Sequence, residues 1–281
     1  MTNPIKIDNL ISFGDCSLKF SVVRDPFKEE TELFNQELVK WCQERNIEVE
    51  PGTGKNTIVL ALGGDGFIMR EAKRLQKSSL PVLGVNFGRK GILAAVEKEN
   101  WQENLSRVIR GEYKIERRLM LTCDHLDGAG RLVKRIESIN DIYIRHPKRM
   151  VIVGLRINGE VVHKEVHADG VVICTPMGST AYFRTSGGSP FPSGIGVNFI
   201  CPMEENLTAL IQTEGDVIEV TLSDVGSFKK EPAFLFVDGE DSEIKVGEMI
   251  RVRKSKKKAR FVIPRGFSWF HVAQRKLGLS Y

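Results

Sequence analysis

Between Ser17 and Gly111 the spacing of apolar positions switches back and forth between two periods. SLKFSVVRD (17–25) reads as a strand. Over Lys28 to Arg45, the residues Leu33, Phe34, Leu38, Trp41 and Cys42 recur every three to four positions, which gathers them on one stripe of an amphipathic helix. TIVLALGG (57–64) is an apolar run stopped by glycines, the pattern of a strand buried on both faces. Helical spacing resumes from Phe67 to Gln76, LPVLGVNFG (80–88) repeats the buried-strand pattern, and Trp101 to Arg110 closes the region with a helix. Alternating strands and helices predict a parallel sheet covered by helices.

Beyond about Tyr113 the pattern changes. RLMLTCDHL, RLVKRIES, INDIYIRH, MVIVGLRING, DGVVICTP, DVIEVTLSD and AFLFVDGE are short, strand-like segments with turn residues between them. The expected fold class is therefore an α/β N-terminal domain with a parallel sheet (residues 1–112) plus a β-rich C-terminal domain (113–267). The ending GFSWFHVAQRKLGL reads as a helix, and 268–281 is expected to pack back on the first domain. IRVRKS and ARFVIP are expected to be two strands of a hairpin joined by a lysine turn.

Composition adds mainly exclusions. The 281 residues are 41% hydrophobic and 27% charged, ordinary for a soluble globular protein. Much of the net charge of +5 sits in RVRKSKKKAR (251–260), but no aromatic stacking platform or RNA-binding motif accompanies it, so no nucleic-acid partner is expected. No apolar run approaches the ~18 residues that cross a bilayer, and the N-terminus lacks the layout of a secretion signal. Five scattered cysteines (Cys16, Cys42, Cys123, Cys174, Cys201) without a C-x-x-C suit a reduced, cytoplasmic protein. His163 and His167 have a metal-like spacing, but HKEVH is not H-E-x-x-H and has no cysteine pair to complete it.

Two common nucleotide fingerprints fail. In PGTGKNT, a phosphate-binding loop would need glycine where Val49 stands and Ser or Thr where Asn56 stands. No G-x-G-x-x-G opens a helix after a strand. Gly63-Gly64-Asp65-Gly66 fits its context better, lying directly between the strand TIVLAL and the helix FIMREAKRL. Glycines there let backbone N–H groups approach phosphates at a helix N-terminus. Asp65 would repel a phosphate, so it either accepts a proton from an attacking hydroxyl or holds a divalent cation. Alternatively the tetrad is a tight turn whose aspartate caps the helix.

Two further clusters are ambiguous alone. Asp169-Gly170 leads through VVIC into Thr175-Pro176-Met177-Gly178-Ser179-Thr180-Ala181-Tyr182 and Gly187-Gly188. This is either a hydroxyl-rich surface for a polar planar ligand or a turn-rich connection. Asn140 and Asp141 stand next to each other in an apolar strand, where neighbours face opposite sides; either at least one enters a polar site or a strand end, or the pair marks an edge or a turn.

In order and approximate spacing the three motifs resemble those of NAD kinases, and VLGVNFGRKGIL, VDGE and the ending RKLG resemble further family segments. GGDG alone also resembles diacylglycerol and sphingosine kinases, which would leave the dyad and GSTAY unexplained. The NAD kinase resemblance implies a two-domain fold with the site between the domains, and a homodimer or homotetramer. It implies phosphorylation of NAD to NADP with ATP or polyphosphate as donor, and a need for Mg²⁺ or another divalent cation. Matched by position, Asp65 would act at the 2′-hydroxyl of the adenosine ribose, and Gly63, Gly64 and Gly66 would shape the phosphate loop. Asn140, Asp141, Asp169, Thr180, Ala181, Tyr182 and Thr185 would contact NAD. The chain departs from the family pattern at Phe67 (usually threonine), Asp141 (glutamate), Met177 (threonine) and Lys90-Gly91-Ile92 (L-G-F). Arg89 or Lys90 is accordingly expected to help hold donor phosphate. A non-catalytic NAD(P)-binding sensor with the same pocket is the alternative of a different class.

Overall fold

The computed structural model describes residues 18–52, 54, 56–226 and 232–278. The N-terminal segment with Cys16, Ser17 of the first expected strand, Thr53 and Lys55 of PGTGKNT, and residues 279–281 of the last helix lie outside them. Two compact units are present, one formed by the described residues up to Arg117 and from Ala259 onward, the other by Arg118–Lys258.

The first unit holds β1 (Lys19–Arg24), α1 (Glu30–Gln43), β2 (Glu48–Val49), β3 (Thr57–Gly63), α2 (Asp65–Leu75), β4 (Val82–Asn86), β5 (Val96–Glu97) and α3 (Trp101–Ile109). β2, β1, β3 and β4 lie side by side in parallel, as the alternating pattern predicts. β3 and β4 are buried along their whole length, which is why they read as unbroken apolar runs. The helices bury the predicted stripes, with Phe34, Leu38, Trp41 and Cys42 buried on α1 while Leu33 is exposed. Phe34 and Trp41 meet Trp101 of α3 edge to face. Gly84 of β4 lets α2 sit close to the sheet, because a Cβ there would meet Ile68 at 2.7 Å.

The chain then continues through β6 (Tyr113–Leu126), β7 (Leu132–Ser138), β8 (Asp141–Arg145), β9 (Val151–Ile157), β10 (Glu160–Ala168), β11 (Gly170–Cys174), α4 (Tyr182–Thr185), β12 (Ile195–Ile200), β13 (Leu210–Gln212), β14 (Ile218–Asp224), β15 (Ala233–Val237), β16 (Glu240–Ile244), β17 (Met249–Pro264) and α5 (Trp269–Leu277). In the second unit β13, β12, β11, β8, β15 and β16 form one antiparallel sheet. β10, β9, β14 and β17 follow one another antiparallel in another. Inward residues of both sheets, among them Leu121, Ile142, Val153, Val171, Val220, Leu235 and Val252, share one apolar core. This is the β-rich half expected from the short alternating segments.

One expectation fails. The expected lysine hairpin is a single sixteen-residue strand, β17. Four of its seven cations are met by acids on other strands or loops: Arg251 by Glu219 (2.7 Å), Arg253 by Asp124 (2.5 Å), Lys254 by Glu214 (2.5 Å) and Lys257 by Glu137 (3.8 Å). The basic run 251–260 contains no glycine, proline or asparagine to favour a turn. The strand shifts the phase of its buried positions midway, from Val252 to Ser255 and Ala259, and the amide of Lys257 donates to Ser255 Oγ at this step. The strands β10 and β12 are additional to those read from the sequence.

Burial raises the thiol of Cys42 to about 11 and, with Asp124 beside it, that of Cys123 to about 12, so both stay protonated and inert. His167 pairs with Glu204 (3.0 Å), whereas His163 stands edge-on to Phe199. No helix among the described residues is long and apolar enough to cross a membrane.

Candidate active site

In the first unit the glycine-rich tetrad joins β3 to α2. Gly63 ends the strand, Gly64 caps the helix in an extended conformation, and Asp65 opens the first turn. Packing leaves no room for a side chain at Gly63 of the tetrad, and little at Gly88 of the loop facing it. A Cβ on Gly63 would lie 2.6 Å from the Phe67 ring, which is buried against it, and one on Gly88 would lie 3.0 Å from Gly64 Cα. Two stretches of bare backbone therefore touch where the tetrad meets the loop after β4. At Gly66, which is exposed, packing makes no such demand.

Asp65 is held from across that contact. Its Oδ2 accepts the amide of Ile92 at 3.0 Å, and its Oδ1 accepts the amide of Leu93 at 2.9 Å. A carboxylate offers about four acceptor positions, so two remain for a hydroxyl, water or cation. The capping reading gives way to this arrangement, in which Asp65 ties two segments together rather than closing its own helix. Arg89 and Lys90 are exposed on the intervening loop. The loop itself rests on Asn86, whose Oδ1 accepts the amide of Gly88 (2.8 Å) and whose Nδ2 donates to Glu97 Oε2 (2.7 Å).

In the second unit Asn140 lies in a two-residue bend between β7 and β8, and Asp141 is the first residue of β8. The dyad therefore occupies a strand end, one of the positions its polarity allows. The two side chains do not diverge, because Asn140 Nδ2 donates to Asp141 Oδ2 at 2.9 Å. The bend is held by Asp238, which accepts the amides of Ile139 (3.1 Å) and Asn140 (2.9 Å) and the hydroxyl of Ser138 (2.8 Å). Asp238 can do this because Asp238-Gly239 forms the tight turn between β15 and β16, with positive φ at both residues. Burial, reinforced by the Asp238 charge, raises the Asp141 carboxyl to about 7.

The hydroxyl-rich loop after β11 packs directly on this bend. Thr175 Oγ1 donates to the carbonyl of Ile139 at 2.7 Å, and its amide donates to that of Asn140 at 3.0 Å. Gly178 has no room for a side chain, since a Cβ there would fall 2.1 Å from the Asn140 carbonyl oxygen. Thr180, Ala181 and Tyr182 follow, half-buried, and Thr185 is exposed at the end of α4. Tyr182 meets Tyr143 edge to face, and Tyr143 stacks on Phe236 with centroids 4.6 Å apart. Met177 is buried, its sulfur 3.5 Å from an Arg118 guanidinium nitrogen.

Asp169 is not brought to this cluster within one chain. Gly170 pairs with Arg145 and Cys174 with Asp141, so Asp169 and Thr175 lie beyond opposite ends of β11, separated by about 20 Å at the usual strand rise. Sequence reasoning missed the supports: Asp238, Asn86, Glu97 and the aromatic neighbours of Tyr182. The segments VLGVNFGRKGIL and VDGE, which contain Asn86 and Asp238, were the signals available, but no supporting role was read from them.

Two family models match the chain, the ATP-NAD kinase N-terminal domain over residues 52–113 and the ATP-NAD kinase C-terminal domain over residues 139–263. The NAD kinase of Lachnoclostridium phytofermentans is 30% identical over 282 residues, covering 92% of this chain and 99% of the relative. That of Thermomicrobium roseum is 32% identical over 93% of this chain and 92% of the relative. In fold the chain is similar to yeast NADH kinase complexed with NADH (TM-score 0.80, 20% identity, 95% of this chain and 90% of that one). It is also similar to an NAD kinase from Archaeoglobus fulgidus in complex with ATP (TM-score 0.74, 21% identity, 94% and 100%). The Asp65 turn falls inside the first matched segment and the Asn140 bend with its hydroxyl loop inside the second, and with relatives alike over nearly their whole length this chain belongs to the NAD kinase family.

Proposed function

We propose that the protein transfers the terminal phosphoryl group of ATP to the 2′-hydroxyl of the adenosine ribose of NAD, giving NADP and ADP. The observation that carries this reading is Asp65, a carboxylate fixed by two backbone amides inside a glycine turn that leads from a buried strand into a helix. The ribose oxygen attacks the terminal phosphorus, the bond to the ADP oxygen breaks, and Asp65 orients the hydroxyl or accepts its proton. Gly63, Gly64 and Gly66 present backbone to the phosphates, and Arg89 or Lys90 adds positive charge beside them. Asn140, Asp141, Thr180, Ala181, Tyr182 and Thr185 line the NAD pocket. Asp169 was expected there, but one chain alone does not bring it to them.

A divalent cation, Mg²⁺ or a similar ion, neutralises charge on the transferring phosphates. Among the described residues no three His, Cys, Asp or Glu gather as a ready-made metal site. Asp65 with nucleotide phosphates and water is a donor set that suits Mg²⁺, which keeps several waters. The proposal includes polyphosphate as an alternative donor, a cytoplasmic setting, and a homodimer or homotetramer.

The test incubates purified protein with NAD, magnesium and either ATP or polyphosphate, and detects NADP with an NADP-specific dehydrogenase. NADP is expected with at least one donor. Its absence with both overturns the reading, and NAD binding without turnover would mark a sensor instead.

A further inference from the structure

The loop that holds Asp65 is itself held by side chains. Among the described residues, backbone groups of 88–95 make no hydrogen bond to other backbone groups outside the strands. Its shape comes from a closed ring of contacts. Gly91, at φ +58°, lies directly over the Asn86 amide, so that a Cβ would come within 2.0 Å of Asn86 Nδ2. Asn86 donates to one oxygen of Glu97, and the other oxygen of Glu97 takes Lys276 Nζ. Lys276 Nζ closes the ring by donating to the Gly91 carbonyl at 3.0 Å. Gly91 immediately precedes the two residues whose amides grip Asp65.

We propose that Glu97 and Lys276 are positioning residues for phosphoryl transfer, with the ammonium of α5 fixing the Gly91 carbonyl so that the Ile92 and Leu93 amides stay aimed at Asp65. This rests on the reading of the protein as an NAD kinase. The contacts are suited to positioning rather than bulk stability. Both side chains are partly exposed (Lys276 22%, Glu97 33%), and exposed ion pairs add little to the stability of a folded core. Geometry at the reacting centre is less forgiving, because a small displacement of an aligned group lowers the rate steeply. Lys276 lies 185 residues from Gly91, so the C-terminal helix acts on the Asp65 turn through one ammonium group.

The test compares the native chain with Lys276→Met, Lys276→Arg and Glu97→Gln. Lys276→Met is expected to lower kcat roughly 10- to 100-fold while KM for NAD stays within about threefold. Lys276→Arg should recover most of the loss, since a guanidinium also reaches a carboxylate and a carbonyl together. Glu97→Gln, which keeps the shape and removes the charge, should fall between. Hydrogen exchange read by NMR should show the Ile92 and Leu93 amides exchanging about tenfold faster or more in Lys276→Met, with the amides of β12 unchanged. A kcat within twofold of native, or a loss of kcat without faster exchange at those two amides, overturns the proposal. A native chain that makes no NADP defeats the functional reading itself, whereas an active native chain with an unimpaired Lys276→Met defeats only this clamp.

Discussion

Asp65 accepts two amides, and an asparagine in its place would keep one acceptor while turning an NH₂ group toward the other N–H. Asp65→Asn is therefore expected to lower kcat by about 10²- to 10⁴-fold with NAD affinity within a few-fold of native, read by steady-state kinetics and titration. Near-normal turnover would remove Asp65 from the reaction. Asp141 makes a prediction about pH. Its carboxyl, raised to about 7 first by burial and then by Asp238, keeps its proton in the folded chain over a range where the unfolded chain, at about 4, has lost it. Between about pH 4 and pH 7 the folded state thus binds more protons, and raising the pH favours unfolding by up to a few kcal/mol. Asp141→Asn lacks this effect. Its melting temperature relative to the native chain should become more favourable from pH 5 to pH 8, and a constant difference would mean that Asp141 is ionised throughout.

Between elements, the tightest fit is that of the hydroxyl loop on the bend before β8. A methyl at position 178 would meet a carbonyl oxygen rather than a movable side chain. Gly178→Ala should destabilise the protein by about 1–3 kcal/mol, seen as a lower denaturant midpoint with an unchanged slope. An unchanged midpoint would show that the loop can lift away. How much of this was readable follows from where each cue lies along the chain. The fully buried runs of β3 and β4 and the stripe of α1 report local burial, which one segment records by itself. The polarity of the dyad between Ile139 and Ile142 allowed a strand end or a turn, but what holds the bend, Asp238, lies 98 residues further on and was not readable. The lysine run read as a turn because five cations within seven residues imply solvent. Glu219, Asp124, Glu214 and Glu137, which meet most of the charge along that strand, are distant in sequence and invisible to a local pattern. Asp65 was readable as a chemical group, but its grip by Ile92 and Leu93 was not.

At the scale of the whole molecule, β7 and β10 each pair on one side only among the described strands. Leu132 and Val133 on β7 (52% and 56% exposed) and Val161 and Val162 on β10 (47% and 40%) leave apolar side chains on those edges. Uncovered apolar edges favour association, which supports the proposed homo-oligomer. Light scattering after gel filtration should give a native mass two or four times the 31.6 kDa of one chain, and a monomer at micromolar concentration would remove that part of the reading. The continuity of β17 also bears on biosynthesis. Its final residues return to the first unit, where Phe261 pairs in parallel with Val82 on β4. As the chain leaves the ribosome, β4 emerges about 180 residues before that partner, a delay of roughly 10 to 40 s at 5–20 residues per second. The second unit, encoded in one uninterrupted stretch, can be complete while the Val82 end of β4 in the first still awaits its partner. The half that carries Asp65 begins first and is finished last.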